Sequence, residues 1–371
     1  MPTMRAARMH NIGEPMSIDD VPVPKPRSRD VLVKVSACGI VPNLKWVLSE
    51  MSTYPYLSLP PLPAIFGLDP VGVIVEKGEQ VHGFEIGDRV YVNPARYCGG
   101  CAACLADDTT SCGTFAFNGY FGSTRGAAIH YEEYPYGGLA EYMTAPQYSL
   151  VRVPDNVSDE MAARWGYMGT GYSALRKANV RPGTTVLING ISGTLGLPTA
   201  MLALAMGASK VLGTGRNRDL LEDVRAMAPD RIEVHSADSE ETVADWARGL
   251  TGGLGVDVAV DAMFTGTPAE PLLKALDAVR RGGIHVNVGG VMDTVPLSMS
   301  NLMLANITLI GNMWFTTRHA QEMANILGSG TVDLSRFEHE IFPLEKINDA
   351  LELFENRHGG FSNYVVSPAA V

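Results

Sequence analysis

The spacing of hydrophobic and polar positions changes once along the chain. Up to about residue 165, short apolar runs are broken by Gly and Pro, and Val31–Val35, Val71–Val75 and Asp88–Val92 each predict a strand. Turn signals at Lys77-Gly78-Glu79 and Ile86-Gly87-Asp88 separate them. This half predicts a partly closed all-β unit. From about Arg181, continuous apolar runs alternate with helical patterns. Thr185–Ile188 precedes a helix over Leu195–Met206, Lys210–Leu212 one over Arg218–Met227, and Val256–Val260 one over Ala269–Val279. Gly283–Val288 and Ile307–Ile310 continue the series. Such alternation predicts a parallel sheet covered on both faces. The closing stretch, Phe342–Ser367, predicts one helix (Leu344–Glu355) and one strand (Tyr364–Val366), too little for a domain, so it is expected to pack onto another.

Composition narrows the classes. With 371 residues, two domains are expected, and a 46% hydrophobic, 19% charged chain has ample material for buried cores. A formal charge of −11 argues against a nucleic-acid surface or an anionic-membrane anchor. No run approaches the roughly 18 apolar residues of a spanning helix, and Met1–Ile18 lacks the apolar core of a targeting segment. A cytoplasmic location is expected.

Four of the five cysteines crowd one loop. Cys98-Gly99-Gly100-Cys101-Ala102-Ala103-Cys104 is followed, after seven residues, by Cys112. Four thiolates at this spacing suit one structural zinc, and a closed four-sulfur shell leaves no open position for chemistry. Gly99 and Gly100 let the backbone turn tightly enough for the first two sulfurs to face one ion.

Gly190-Ile191-Ser192-Gly193-Thr194-Leu195-Gly196 follows a strand and opens a helix, the context in which such glycines cradle a dinucleotide pyrophosphate. An enzyme specific for NAD carries an acidic residue at the end of the next strand, to bind the ribose hydroxyls. Here that stretch reads Gly213-Thr214-Gly215-Arg216-Asn217-Arg218. Gly215 leaves room where the acid stands, and Arg216, helped by Arg218, can pair with a 2′-phosphate. NADPH is expected in preference to NADH.

Together with Ala37-Cys38-Gly39-Ile40, Gly87-Asp88-Arg89-Val90, Gly137-Gly138-Leu139-Ala140-Glu141-Tyr142 and Thr170-Gly171-Tyr172, these features resemble the medium-chain dehydrogenase/reductase superfamily over essentially the whole chain, most closely its zinc alcohol dehydrogenase branch. The resemblance implies an α/β fold: a GroES-like β-rich catalytic domain with the zinc lobe over residues 1–167, a doubly wound Rossmann parallel-sheet domain over 168–312, and a return segment over 313–371. It implies an active site in the cleft and a homodimer or homotetramer. Thr170 and Gly289 join Gly190, Ser192, Gly193, Thr194, Leu195, Gly196, Gly215, Arg216 and Arg218 as expected cofactor-binding residues.

The resemblance also locates what is missing. The family's first catalytic-zinc ligand corresponds to Val41, the second to Leu68 in Gly67-Leu68-Asp69, and the third to Gly166. None of these side chains can donate to zinc, and Asp69 alone does not make a site. The family's proton-relay residues correspond to Asn43 and Trp46, which cannot shuttle a proton. Cys38 reads as a buried structural thiol.

Hydride transfer to an activated, apolar or aromatic substrate remains open to such a site. The conjugated C=C of an enone or enal is slightly preferred; a carbonyl or iminium reductase, or an alcohol dehydrogenase, is the alternative. A non-catalytic nucleotide-binding structural protein is the reading from another class. Asn43 and Tyr167 are the candidate catalytic groups, and Trp46, Leu68 and Tyr120 the candidate pocket. The aromatic-rich segment Phe115–Tyr136 can line a pocket for a flat substrate or simply pack.

Overall fold

The computed structural model describes residues 2–50, 57–353 and 357–368. Two compact units emerge, one of Met1–Gly166, Phe315–Arg357 and Ser362–Val371, the other of Tyr167–Trp314 and His358–Phe361. The division falls inside the Trp165–Lys177 helix.

The first unit is built on a seven-stranded sheet. Its strands run in the order Leu150–Arg152, Arg89–Val92, Asp69–Lys77, Asp30–Gly39, Ser362–Ser367 and Glu338–Pro343, with Tyr142–Pro146 also paired to Asp30–Gly39. All three predicted strands of this half form. Val31, Val33, Val35, Val71, Ile74, Val90 and Val92 are fully buried, so the β-branched residues that favour the pleat also supply the core. The unit is not all β, however. Helices Leu44–Glu50, Ala128–Glu133, Asp159–Ala162 and Thr317–Gly328 belong to it as well.

The closing strand adds to this unit, Val365 opposite Gly39 and Val366 opposite Cys38. The expected helix of the closing stretch begins later than its apolar pattern suggests. Leu344–Lys346 is a 3₁₀ turn and the α-helix runs over Ile347–Leu353; residues 354 and 355 lie outside the described residues.

The second unit holds six parallel strands in the order Ile232–Ser236, Lys210–Gly215, Thr185–Asn189, Val256–Asp261, Val279–Asn287 and Thr308–Gly311. Numbered along the chain this is 3-2-1-4-5-6, the doubly wound order with its switch point beside the first strand. Several elements were not predicted, among them the helix Met299–Ala305. Ile232–Ser236 is an edge strand whose Glu233 and His235 interrupt any apolar run, and Val243–Leu250 is a short helix capped by Thr242. Val279, expected to end a helix, instead starts a strand, because the helix stops at Asp277. Among the described residues, no helix is long and apolar enough to cross a membrane.

Candidate active site and metal lobe

The cysteine loop leaves the short ribbon Ala95–Arg96 and returns to Ala116–Phe117, which pair antiparallel. Between them the Ala102–Leu105 helix and a 3₁₀ turn at Thr109–Ser111 fold the chain back, so that the four sulfurs lie within 4.8 Å of one another. Gly99 takes φ +74°, a left-handed turn that glycine adopts without strain. Burial alone would raise the Cys112 thiol, but the Cys98 N–H at 3.4 Å, with the Thr114 N–H and hydroxyl, brings it down to about 6. Cys104 moves the other way, to about 12, through burial and its crowded neighbours. Four thiolates this close need a cation, and a tetrahedral zinc fits the donor set. Bound there, it ties down the loop.

In the second unit the glycine loop has the expected form. Gly190 adopts φ +86°, and the N–H groups of Gly190 and Ile191 both donate to the Thr214 carbonyl at 3.0 Å. A Cβ on Gly196 would stand 2.1 Å from the Gly190 carbonyl oxygen, so only glycine lets the Gly196–Ala205 helix start this close to the turn. Ser192, Gly193, Thr194 and Leu195 are half-buried. Arg216 and Arg218 are exposed after Gly215, and Asn217 caps the Arg218–Ala226 helix by accepting from the Leu220 N–H at 3.1 Å. Gly289 donates its N–H to the Asp261 carbonyl at 2.7 Å, and Thr170, buried, accepts from the Asn312 amide at 3.2 Å.

A polar cluster here was missed by the sequence reading. Thr214 Oγ1 donates to Asn189 Oδ1 at 2.5 Å, and Met263 N–H donates to Asp261 Oδ1 at 3.1 Å. Burial pushes Asp261 up to about 6, opposed by the Met263 N–H and the Asn189 side chain. The available signal was a polar residue closing each apolar run, Val-Leu-Ile-Asn189 and Val-Ala-Val-Asp261.

The first unit brings two of the candidate residues together. Tyr120 donates its hydroxyl to Asn43 Oδ1 at 2.8 Å. Gly119 makes the approach possible: its φ is +65°, a Cβ there would stand 2.5 Å from Gly137 Cα, and its carbonyl accepts from Gly67 N–H at 3.0 Å. Tyr120 therefore enters from a crossing of three glycine segments, one of which leads into Leu68. Val41 and Leu68 are buried, and Trp46 is half-buried on the Leu44–Glu50 helix. Tyr167 is half-buried at the first position of the second unit. The aromatic segment is mostly packed inward. Phe115 and Phe117 meet edge-on at 4.9 Å, and Phe117, Tyr120 and Phe121 pack together. Cys38 is fully buried, as a structural thiol should be.

Comparison with known proteins agrees with this architecture. Residues 27–155 match the alcohol dehydrogenase GroES-like domain and residues 194–329 the zinc-binding dehydrogenase domain. An alcohol dehydrogenase of Geobacillus stearothermophilus is 31% identical over 94% of this chain and 95% of its own length. An acryloyl-coenzyme A reductase of Metallosphaera sedula is 29% identical over 96% of this chain and 97% of its own. The crystal structure of an NAD-dependent alcohol dehydrogenase superposes with a TM-score of 0.81 at 26% identity, over 98% of this chain and 99% of that one. With its cysteine lobe, doubly wound sheet and glycine loop, the chain belongs to the medium-chain dehydrogenase/reductase superfamily and is an NAD(P)H-dependent oxidoreductase.

Proposed function

We propose that this protein is an NADPH-dependent reductase working without a catalytic zinc on an activated, apolar or aromatic substrate, with the conjugated C=C of an enone or enal slightly favoured. The observation that carries the cofactor choice lies at Gly215. Gly215 brings no carboxylate to the ribose hydroxyls, and a Cβ there would stand 2.9 Å from Leu221 Cδ2 and 3.3 Å from Ser192 Oγ, so an acidic side chain would first have to displace the end of Leu221. Arg216 and Arg218 follow immediately and offer guanidinium groups to a 2′-phosphate. Relatives named NAD-dependent make NADH the competitor.

Val41, Leu68 and Gly166 bring no donor atom, so the residues do not fit a second zinc, and no step is derived through one. The reduced nicotinamide, when bound, supplies the hydride. Asn43, oriented by the Tyr120 hydroxyl, offers an amide to the substrate oxygen, where negative charge develops. Tyr167 is the candidate proton donor, and Trp46, Leu68 and Tyr120 give the pocket its apolar character. The similarity to an acryloyl-coenzyme A reductase supports the alkene route. The alcohol and sorbitol dehydrogenases among the relatives support carbonyl reduction as the alternative. A cytoplasmic homodimer or homotetramer completes the proposal, on the family resemblance.

Turnover of an enone panel with NADPH deuterated at the transferable position tests it. Deuterium at the β-carbon supports the proposal, and deuterium at the carbinol carbon overturns the alkene route. A kcat/KM for NADH equal to that for NADPH overturns the cofactor choice.

A further inference from the structure

Asp69 opens the Asp69–Lys77 strand and is 1% exposed. Its Oδ1 accepts the Tyr91 hydroxyl at 2.7 Å, while Oδ2 has no hydrogen-bond partner among the described residues. Three elements face this carboxyl. The Arg89–Val92 strand brings Tyr91, the Asp30–Gly39 strand brings the Cys38 thiol, and the Trp165–Lys177 helix brings the backbone N–H of Gly166. No cation pairs with it among the described residues; the buried Arg96 acts on Tyr91, not on the carboxyl itself. A bare carboxylate in such surroundings costs several kcal/mol by general solvation arguments and takes up a proton instead.

The helix side is equally constrained. A Cβ on Gly166 would stand 2.4 and 2.5 Å from the two Asp69 oxygens and 2.8 Å from Cγ. Gly166 is the second residue of its helix and is not among the residues with positive φ. Alanine would therefore suit the backbone better than glycine does. What forbids a side chain at this position is Asp69.

We infer that Asp69 and Gly166 form one interlocked pair, in which Asp69, as a neutral carboxylic acid, fills the room of a side chain at 166 and closes that place to a third metal ligand. The inference rests on the zinc-free reading above and gives it a physical cause. No gap stands at 166: the Asp69 carboxyl occupies the space, so a ligand side chain cannot be placed there by a substitution at 166 alone. Burial, opposed by the Tyr91 hydroxyl and the Gly166 N–H, pushes the carboxyl up to about 7, so that it keeps its proton below that pH.

A double-mutant cycle in the full chain tests the pair by urea unfolding. Gly166→Ala is expected to raise the unfolding equilibrium constant at least about tenfold when Asp69 is present. In the Asp69→Ala background the same change is expected to be neutral or stabilising, because only the helix preference remains. Equal effects in both backgrounds overturn the interlock. Asp69→Asn tests the proton independently. An acid whose pKa is raised on folding holds its proton in the native state after the unfolded chain has lost it. Wild-type stability should then fall as pH rises from about 4 to about 7 and level off above. Asp69→Asn should flatten that slope; a wild type whose stability runs parallel to that of Asp69→Asn from pH 4 to pH 7 has a carboxyl already ionised in the folded chain, which overturns the inference. Zinc analysis of the same proteins separates the two claims. Two zinc ions per wild-type chain sink the zinc-free reading, whereas loss of one of them in Asp69→Asn makes Asp69 a ligand and sinks the interlock.

Discussion

The cysteine lobe and the cluster around Gly166 are the two places where the resemblance implies metal, and they differ in how the chain assembles them. In the lobe all four donors fall between residues 98 and 112, and loop turns alone bring their sulfurs within 4.8 Å. The other three positions, 41, 68 and 166, come from far apart in the chain and share only the folded first unit. A site closed by one loop holds its donors together, so its ion and the fold of that loop are gained or lost together. A site assembled from distant core positions can be altered one residue at a time. Val41 and Leu68 are 4% and 5% exposed, so an aliphatic side chain there is ordinary core packing.

That contrast breaks first at the lobe, where the largest effect is expected. Cys112→Ser should reduce the zinc content from one ion per chain to none. It should also open residues 98–112 to proteolysis and lower stability by several kcal/mol. Metal analysis and limited proteolysis read the first two outcomes, and denaturant unfolding the third. A variant that keeps its zinc would show a lobe as tolerant of piecemeal change as the Gly166 cluster, and the distinction would fall.

The same contrast explains what was legible in the sequence. Features carried by neighbouring residues could be read directly: the four cysteines, the glycine loop with its helix, and strands with a continuous apolar stretch, such as Val186–Ile188 in Thr185–Asn189 and Val258–Val260 in Val256–Asp261. The edge strand Ile232–Ser236 could not, since half-buried Glu233 and buried His235, which stacks on Trp246, break its apolar run. The contents of the site divide in the same way. The residues at 41, 68 and 166 were identified by resemblance, but Asp69 filling the space beside Gly166 requires knowing that two residues 97 positions apart touch. Tyr120 reaching Asn43 depends on the close crossing of Gly67, Gly119 and Gly137, which no local spacing announces.

Arg216 offers a sharper test of a locally encoded site in the second unit. It follows the strand end at Gly215, and under the proposed function its charge meets only the 2′-phosphate. Arg216→Ala should weaken NADPH binding by about tenfold to a hundredfold, the worth of a hydrogen bond to a charged group, and leave NADH binding nearly unchanged. Titration of each cofactor by fluorescence checks this. Equal losses would mean that the arginine stabilises the loop and does not read the phosphate.

The smallest effect belongs to the non-local side. Tyr120→Phe keeps the ring and its packing against Phe117 and Phe121 but removes the hydroxyl that donates to Asn43. One neutral hydrogen bond is worth about 1 kcal/mol. Unfolding should therefore shift by about that amount, and kcat should fall by about fivefold with KM little changed, if the hydroxyl fixes the amide that meets charge developing in the transition state. Asn43→Ala should lower kcat further, and adding Tyr120→Phe to it should cost nothing more in kcat, because the bond being removed is already gone. Additive losses in kcat would separate the two residues and make Tyr120 part of the packing alone. A non-local site would then hold its orienting groups no more tightly than its lost ligands.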